Sequence, residues 1–173
     1  MKVSSSALAH KSDLGLVRIG VATADEVRAT FDELLDRARA ATPAEDIEGV
    51  LVCELIRGGV ETIVGVVQDE LFGPVVMFGI GGIAVEIYRD VTFRVPPFTR
   101  GEARRMVEEV RALPLLLGAR GQPPADLDAL VDAIMAVQSL AQELGDQLAE
   151  LDINPLVTLP DRVVALDALA VGR

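Results

Sequence analysis

Three oxygen-bearing side chains near the C-terminal end are spaced in a way that suits a hard cation. Asp152 and Asn154 lie in Glu150-Leu151-Asp152-Ile153-Asn154-Pro155-Leu156, and Asp167 lies in Ala165-Leu166-Asp167-Ala168. A Pro-Asp turn, Leu159-Pro160-Asp161-Arg162, separates two apolar runs, so the stretch reads as an antiparallel hairpin. With Leu159 paired to Arg162, the ladder puts Asn154 directly across from Asp167, Cβ atoms roughly 5 Å apart on one face. Asp152, two residues along the strand, points to that same face. Mg²⁺ is commonly held by one or two carboxylates, with positions left for water and phosphate. The same letters also describe a solvated strand face with an Asn-Pro turn starter.

Other residues could do chemistry. His10 is the only histidine and sits in a polar loop beside Lys11, Ser12 and Asp13. Neutral imidazole is a nucleophile near pH 7, although a surface-loop histidine has the same surroundings. Gly79, Gly81 and Gly82 follow the strand Val75 to Phe78, where backbone N–H groups can approach phosphate oxygens without side-chain interference. The run is neither a dinucleotide fingerprint, since no amphipathic helix follows Gly82, nor a Walker A loop, since no Gly-Lys-Ser/Thr follows. Glu54 stands in the apolar run Gly49 to Ile56, read as a buried strand forming a hairpin with Glu61 to Val67. A carboxylate inside such a strand needs partners, or it faces water at the strand end.

The elements that must position these groups are legible from periodicity. Met1 to Val3 and Leu16 to Val21 read as strands around a small polar loop. Thr23-Ala24-Asp25-Glu26 is a capping box opening an amphipathic helix to about Ala40, and Thr99-Arg100-Gly101-Glu102 is a second, heading a helix to about Ala112. Asp126 to Asp146 is a long helix with Leu127, Leu130, Ile134, Val137, Leu140, Ala141 and Leu144 on one face. The fold class is therefore α/β (α+β), with a mainly antiparallel sheet flanked by helices.

Composition excludes several functions. The net charge of −11 argues against nucleic-acid binding, which needs a basic surface to displace counterions. No uninterrupted apolar run reaches the roughly 18 residues of a membrane span. A single cysteine, Cys53, allows no internal disulfide and fits a reducing cytoplasm. The core must be built of Val, Leu, Ile and Ala, because Trp is absent and there is only one Tyr.

Several strings are longer than chance spacing. The run F-G-P-V-V-M-F-G-x-G-G-I-x-V-E from Phe72 to Glu86, then Asp90-Val91-Thr92-Phe93-Arg94, stands with the D-x-N-P-L and A-L-D-A segments and with His10-Lys11-Ser12-Asp13-Leu14-Gly15. Together they resemble the ATP-grasp domain of ADP-forming acyl-CoA synthetases of the acetate–CoA ligase type. That resemblance implies an ATP-grasp fold binding ATP or ADP with Mg²⁺. It implies that Asn154 and Asp167 hold the metal, with Asp152 behind them, and that His10 carries phosphate. It assigns adenine to Cys53, Glu54 and Leu55, mostly through main chain, and the nucleotide phosphates to the Gly79, Gly81 and Gly82 loop. Lys2 and Arg94 would neutralise phosphate charge, and Glu86 would line the site. Two departures stand out: the family's Gly-Gly is Gly15-Leu16 here, and Pro is missing after Ser5. The expected organisation is one domain, with 1–47 a remnant of the small lobe, beginning inside it, and 48–173 the nucleotide and metal lobe. A CoA-binding subunit or domain is the implied partner, in a homo- or hetero-oligomer. The alternative is a non-catalytic nucleotide-binding or scaffold module that completes a partner subunit or an acetyltransferase.

Overall fold

The structure, a computed structural model, describes residues 1–5, 7–8, 11–81 and 90–173, and for Arg120 the backbone only. His10, Gly82 and Glu86 lie outside the described residues. Two compact units are present, Met1–Arg57 and Gly58–Arg173.

In the first unit, β1 (Lys2–Ser4) pairs antiparallel with β2 (Gly49–Leu51). The helix α1 (Ala24–Ala41) begins at a complete capping box: Thr23 accepts from Glu26 N–H, and the Glu26 carboxylate accepts from the backbone of Ala22 and Thr23. Those two backbone donors, Ala22 first, hold the Glu26 carboxyl below its ordinary value. Leu34 and Ala38 of α1 close with Val3, Leu8 and Leu16 into a small apolar core.

Three expectations for this unit are corrected. The strand expected over Gly49 to Ile56 stops at Leu51, and residues 52–55 are exposed, with Val52 at 66%. Glu54 therefore sits on an exposed segment. The expected hairpin of that strand with Glu61 to Val67 does not form, because β2 pairs with β1. The strand expected over Leu16 to Val21 is reduced to a single bridge, Lys2 to Val17.

The second unit is a six-stranded antiparallel sheet under a layer of helices. Its strands are β3 (Val60–Asp69), β4 (Gly73–Ile80), β5 (Val91–Arg94), β6 (Leu148–Thr158), β7 (Val163–Ala165) and β8 (Ala168–Gly172). The order is β5-β4-β3-β6-β7, with β8 also paired to β6. The helices are α2 (Arg100–Glu108), α3 (Leu113–Leu116) and α4 (Leu127–Leu144). Alternation selects one face for burial. Val64, Val66, Val76, Phe78, Ile80, Leu151 and Leu156 pack against Ala103, Met106 and Val107 of α2 and Leu130, Ile134 and Val137 of α4.

Polar groups fasten the two layers. Thr92 donates its hydroxyl to the Met106 carbonyl at 3.0 Å. The Gln68 amide donates to the carbonyls of Gly145 and Leu148, both at 2.9 Å, where α4 turns into β6. Asp90 accepts from the backbone N–H groups of Arg111 and Ala112 at 2.9 and 2.8 Å, fixing the connection between α2 and α3. The expected second capping box is only half present. Thr99 accepts from Glu102 N–H, but the Glu102 carboxylate is drawn to Arg94 and Arg105 instead of returning to the cap. The helix also ends at Glu108, short of Ala112. On α4, Gln138 takes a core position in place of Leu140, which is 39% exposed, and the Gln138 carbonyl oxygen accepts from Phe98 N–H at 2.6 Å.

At the start of α4, the Asp126 carboxylate accepts from the N–H groups of Asp128 and Ala129 at 3.1 and 2.9 Å. Replacing an N-cap acid by Ala leaves these donors without a protein partner and costs about 1 kcal/mol. Asp126→Ala is expected to lower the urea unfolding midpoint accordingly. An unchanged midpoint would show that the cap contributes nothing to this helix.

Candidate metal and nucleotide site

The central strand β6 serves neighbours with two different registers. Toward the C-terminal edge the pairing follows the Pro-Asp turn without interruption: Leu159 N–H donates to Arg162 at 2.8 Å, Leu156 pairs with Ala165, and Ile153 pairs with Ala168. Asn154 N–H donates to the Asp167 carbonyl at 3.1 Å, so these residues stand opposite one another. Toward β3, however, Thr62 pairs with Leu156 and Val64 with Ile153, so β6 carries one extra residue between them. That extra residue is a β-bulge at Asn154-Pro155. Pro lacks the N–H a regular ladder needs, which is why it is found at such positions.

The bulge re-aims the polar residues. Leu151 and Ile153 pack with the helix-side core, so Asp152 and Asn154 point to the opposite face. There the Asn154 side chain hydrogen-bonds to Asp152, with Asp167 close enough to act on the same carboxyl electrostatically. Burial, then the charges of Glu150 and Asp167, push the Asp152 carboxyl above its ordinary value, against the Asn154 bond. One Asp152 oxygen, Oδ1, is buried without a hydrogen-bond partner. Buried carboxylate oxygens are rarely left so. The donor set is all hard oxygen: two carboxylates and an amide. Among the described residues no group of three or more His, Cys, Asp or Glu could hold a metal.

Gly79 belongs to the same face, but not to a loop. It lies inside β4, opposite Ile63 and Val91, where a Cβ would stand 2.8 Å from Val91 Cγ1 and 3.0 Å from the Asp90 carbonyl oxygen. Ile63 in turn faces the bulge of β6. Gly79 is therefore two strand spacings, roughly 10 Å, from Asn154 across the sheet. Gly81 comes next to the Glu61 backbone: its N–H donates to the Glu61 carbonyl at 2.7 Å, and a Cβ would meet Glu61 at 3.1 Å. At this end of the sheet a cleft of about 310 Å³ is lined by Glu61, Ile80, Gly81, Leu115, Gln122 and Pro160.

Arg94 does not join the group. It follows Thr92 on the helix side of β5, and its guanidinium bonds to Glu109 at 2.7 Å and Glu102 at 3.3 Å. Glu109 first, then Glu102, raise its pKa further above the usual arginine value. Its visible role is to fasten β5 to α2. Lys2, in β1, and Cys53, Glu54 and Leu55, on the exposed segment after β2, belong to the first unit. The sequence reading missed the bulge and the glycine at position 65, where a Cβ would stand 2.8 Å from the Leu151 carbonyl oxygen beside Asp152. Pro and Gly inside strand patterns were the available signals.

The family model described as an ATP-grasp domain matches residues 1–171, and the chain belongs to that family. It is 44% identical over 168 residues to the beta subunit of acetate–CoA ligase (ADP-forming) I from Pyrococcus furiosus, covering 97% of this chain and 72% of the relative. Among solved structures it resembles Ca. Korarchaeum cryptofilum dinucleotide forming acetyl-coenzyme A synthetase 1 in complex with coenzyme A, Ca-AMPCP and HgCl⁺. The TM-score is 0.94 at 40% identity, over 99% of this chain and 75% of that one. A second structure of that enzyme holds coenzyme A and Mg-AMPPCP, with its phosphohistidine segment pointing towards the nucleotide binding site. There the TM-score is 0.87 at 36% identity, over 100% of this chain and 75% of that one.

The strained carboxyl yields a test. A carboxyl whose folded pKa is raised favours the fold most when protonated, and this contribution is lost as pH rises from the unfolded value through the folded one. At neutral pH, ionised Asp152 therefore opposes folding of the metal-free protein. Asp152→Asn is expected to raise its melting temperature at pH 7. The gap should close as pH falls toward the ordinary carboxylate range. A lower melting temperature at pH 7 would contradict the assignment.

Proposed function

We propose that this chain is the nucleotide-binding domain of an ADP-forming acid–CoA ligase of the acetate–CoA ligase type, binding ATP or ADP with Mg²⁺. The observation that carries the reading is the Asp152, Asn154 and Asp167 constellation, with a buried carboxylate oxygen that has no protein partner. The family match supports it, as do relatives that are themselves ligases. Bound Mg²⁺ would neutralise charge on the nucleotide phosphates. Asn154 and Asp167 would hold it directly. Asp152, accepting from the Asn154 side chain, would fix that amide so that its oxygen faces the ion.

The reaction proposed is phosphoryl transfer between phosphohistidine at His10 and ADP. An oxygen of the ADP terminal phosphate forms the new P–O bond, the N–P bond breaks, and the imidazole leaves with the bonding pair; the reverse direction phosphorylates His10. Most of the catalysis in such transfers is positioning and charge stabilisation. Lys2, the Cys53 to Leu55 backbone, Gly79, Gly81, Gly82 and Glu86 are proposed nucleotide contacts on the family resemblance. Arg94 is better read as a helix anchor, given its bonds to Glu102 and Glu109. A CoA-binding subunit or domain is the proposed partner. The ligase relatives weigh against the non-catalytic scaffold reading.

Calorimetric titration of the chain with Mg·ADP is expected to give binding that chelation by EDTA weakens and Asp167→Ala weakens at least tenfold, about 1.4 kcal/mol. Equal affinity for parent and variant would remove Asp167 from the site. Incubation with γ-labelled ATP is expected to label His10, with His10→Ala abolishing the label. Tight Mg·ADP binding with no label would leave a nucleotide-binding domain without phosphotransfer.

A further inference from the structure

The hairpin that joins β3 to β4 ends in a tip whose side chains the fold does not use. Asp69 pairs with Gly73, so the turn is the three residues Glu70, Leu71 and Phe72. Leu71 is 88% exposed and Phe72 64%. A turn of this length asks for a glycine in the left-handed region and a side chain that caps it. Gly73, at φ +71°, meets the first need. Asp69 meets the second: its carboxylate accepts from Leu71 N–H at 2.8 Å and from Phe72 N–H at 3.0 Å. Polar residues at 71 and 72 would close the same turn. The base of the hairpin is held as well, by the Gln68 amide on the Gly145 and Leu148 carbonyls. Two residues before Asp69, Val67 is also exposed on the sheet face away from the helices, where it and exposed Val171 flank Glu150.

We propose that this tip is a docking anchor for a partner protein, with Leu71 and Phe72 entering an apolar pocket rimmed by lysine or arginine. The partner is the CoA-binding subunit or domain of the preceding reading, on which the proposal rests. Charge selects the chemistry of that rim. Glu70 in the tip, Glu150 on the adjoining face and Asp146 in the turn that Gln68 grips are exposed acids. Arg173, whose N–H donates to the Gln147 carbonyl at 3.1 Å, offsets one of these charges. The whole chain carries −11. A second copy would set like charges against one another at the tip, whereas a basic rim is attracted by them. A braced turn suits an anchor, because a group already held in its bound shape loses little freedom on docking. A buried aromatic anchor carries much of the binding energy of an interface, and charges at the rim act mainly on the association rate.

The test titrates the full chain with the purified CoA-binding subunit and repeats this for Leu71→Ser, Phe72→Ser and Glu70→Lys. Phe72→Ser is expected to weaken binding about thirtyfold and Leu71→Ser about tenfold, chiefly through faster dissociation. Glu70→Lys should slow association and flatten its dependence on salt. Melting temperature and Mg·ADP affinity should match the parent in each variant, since neither the core nor the proposed nucleotide contacts include these residues. Equal subunit binding by the parent and Phe72→Ser overturns the docking role and leaves the partner assignment standing. Self-association of the parent that Phe72→Ser abolishes also overturns it, making the tip a contact between copies. No subunit binding by the parent chain overturns the partner assignment, and the docking role falls with it.

Discussion

The site depends on one constraint: β6 must satisfy a different register on each of its edges. Its C-terminal partner strands hold the ladder set by the Pro-Asp turn, while β3 pairs one residue out of step beyond Thr62. The mismatch is absorbed at Asn154-Pro155, and this is where the sheet turns polar. Ladder hydrogen bonds on both sides lock the bulge, so Asp152 and Asn154 are placed by backbone geometry. Asp167 stands opposite because the turn fixes how many residues separate the strands.

The two faces of that sheet differ in character. One face buries Val, Phe, Ile and Leu against α2 and α4 and supplies the hydrophobic driving force. The other carries a carboxyl that burial and two neighbouring acids oppose in its ionised form. A fold selected for stability alone would place an apolar residue at 152. Retaining a partly buried acid with an unsatisfied oxygen follows if a cation completes it. The same division explains Arg94: on the helix side its charge is matched by Glu102 and Glu109, leaving it a structural tie.

Much of this was legible in the sequence, for identifiable reasons. The Asn154 to Asp167 pairing followed from a turn and a count of residues, because a two-residue periodicity transmits register without loss. The long helices followed from capping and apolar spacing, and the Thr23 box is complete. The strand over Gly49 to Ile56 was overextended because a continuous apolar run looks like a buried strand whatever lies beside it; β2 pairs with the three-residue β1 and ends at Leu51. Gly79 reads as part of a loop, yet it lies inside β4, where a Cβ would crowd Val91 and the Asp90 carbonyl. The Arg94 partners sit on a helix whose placement over β5 no local pattern reveals. Leu16 reads as a broken glycine pair by letters, yet it anchors the core of the first unit.

The central claim is that a divalent ion, bound with nucleotide, sits against Asn154 and Asp167 on the face away from the helices. Mn²⁺ in place of Mg²⁺, added with ADP to isotope-labelled protein, tests this directly, since the paramagnetic ion broadens nearby amide resonances in order of distance. Ile153, Asn154, Asp167 and Ala168 should broaden first, with Glu102, Glu109 and the α4 amides staying sharp. Broadening centred on the helix face, or the same with Asp167→Ala as with the parent chain, would contradict it.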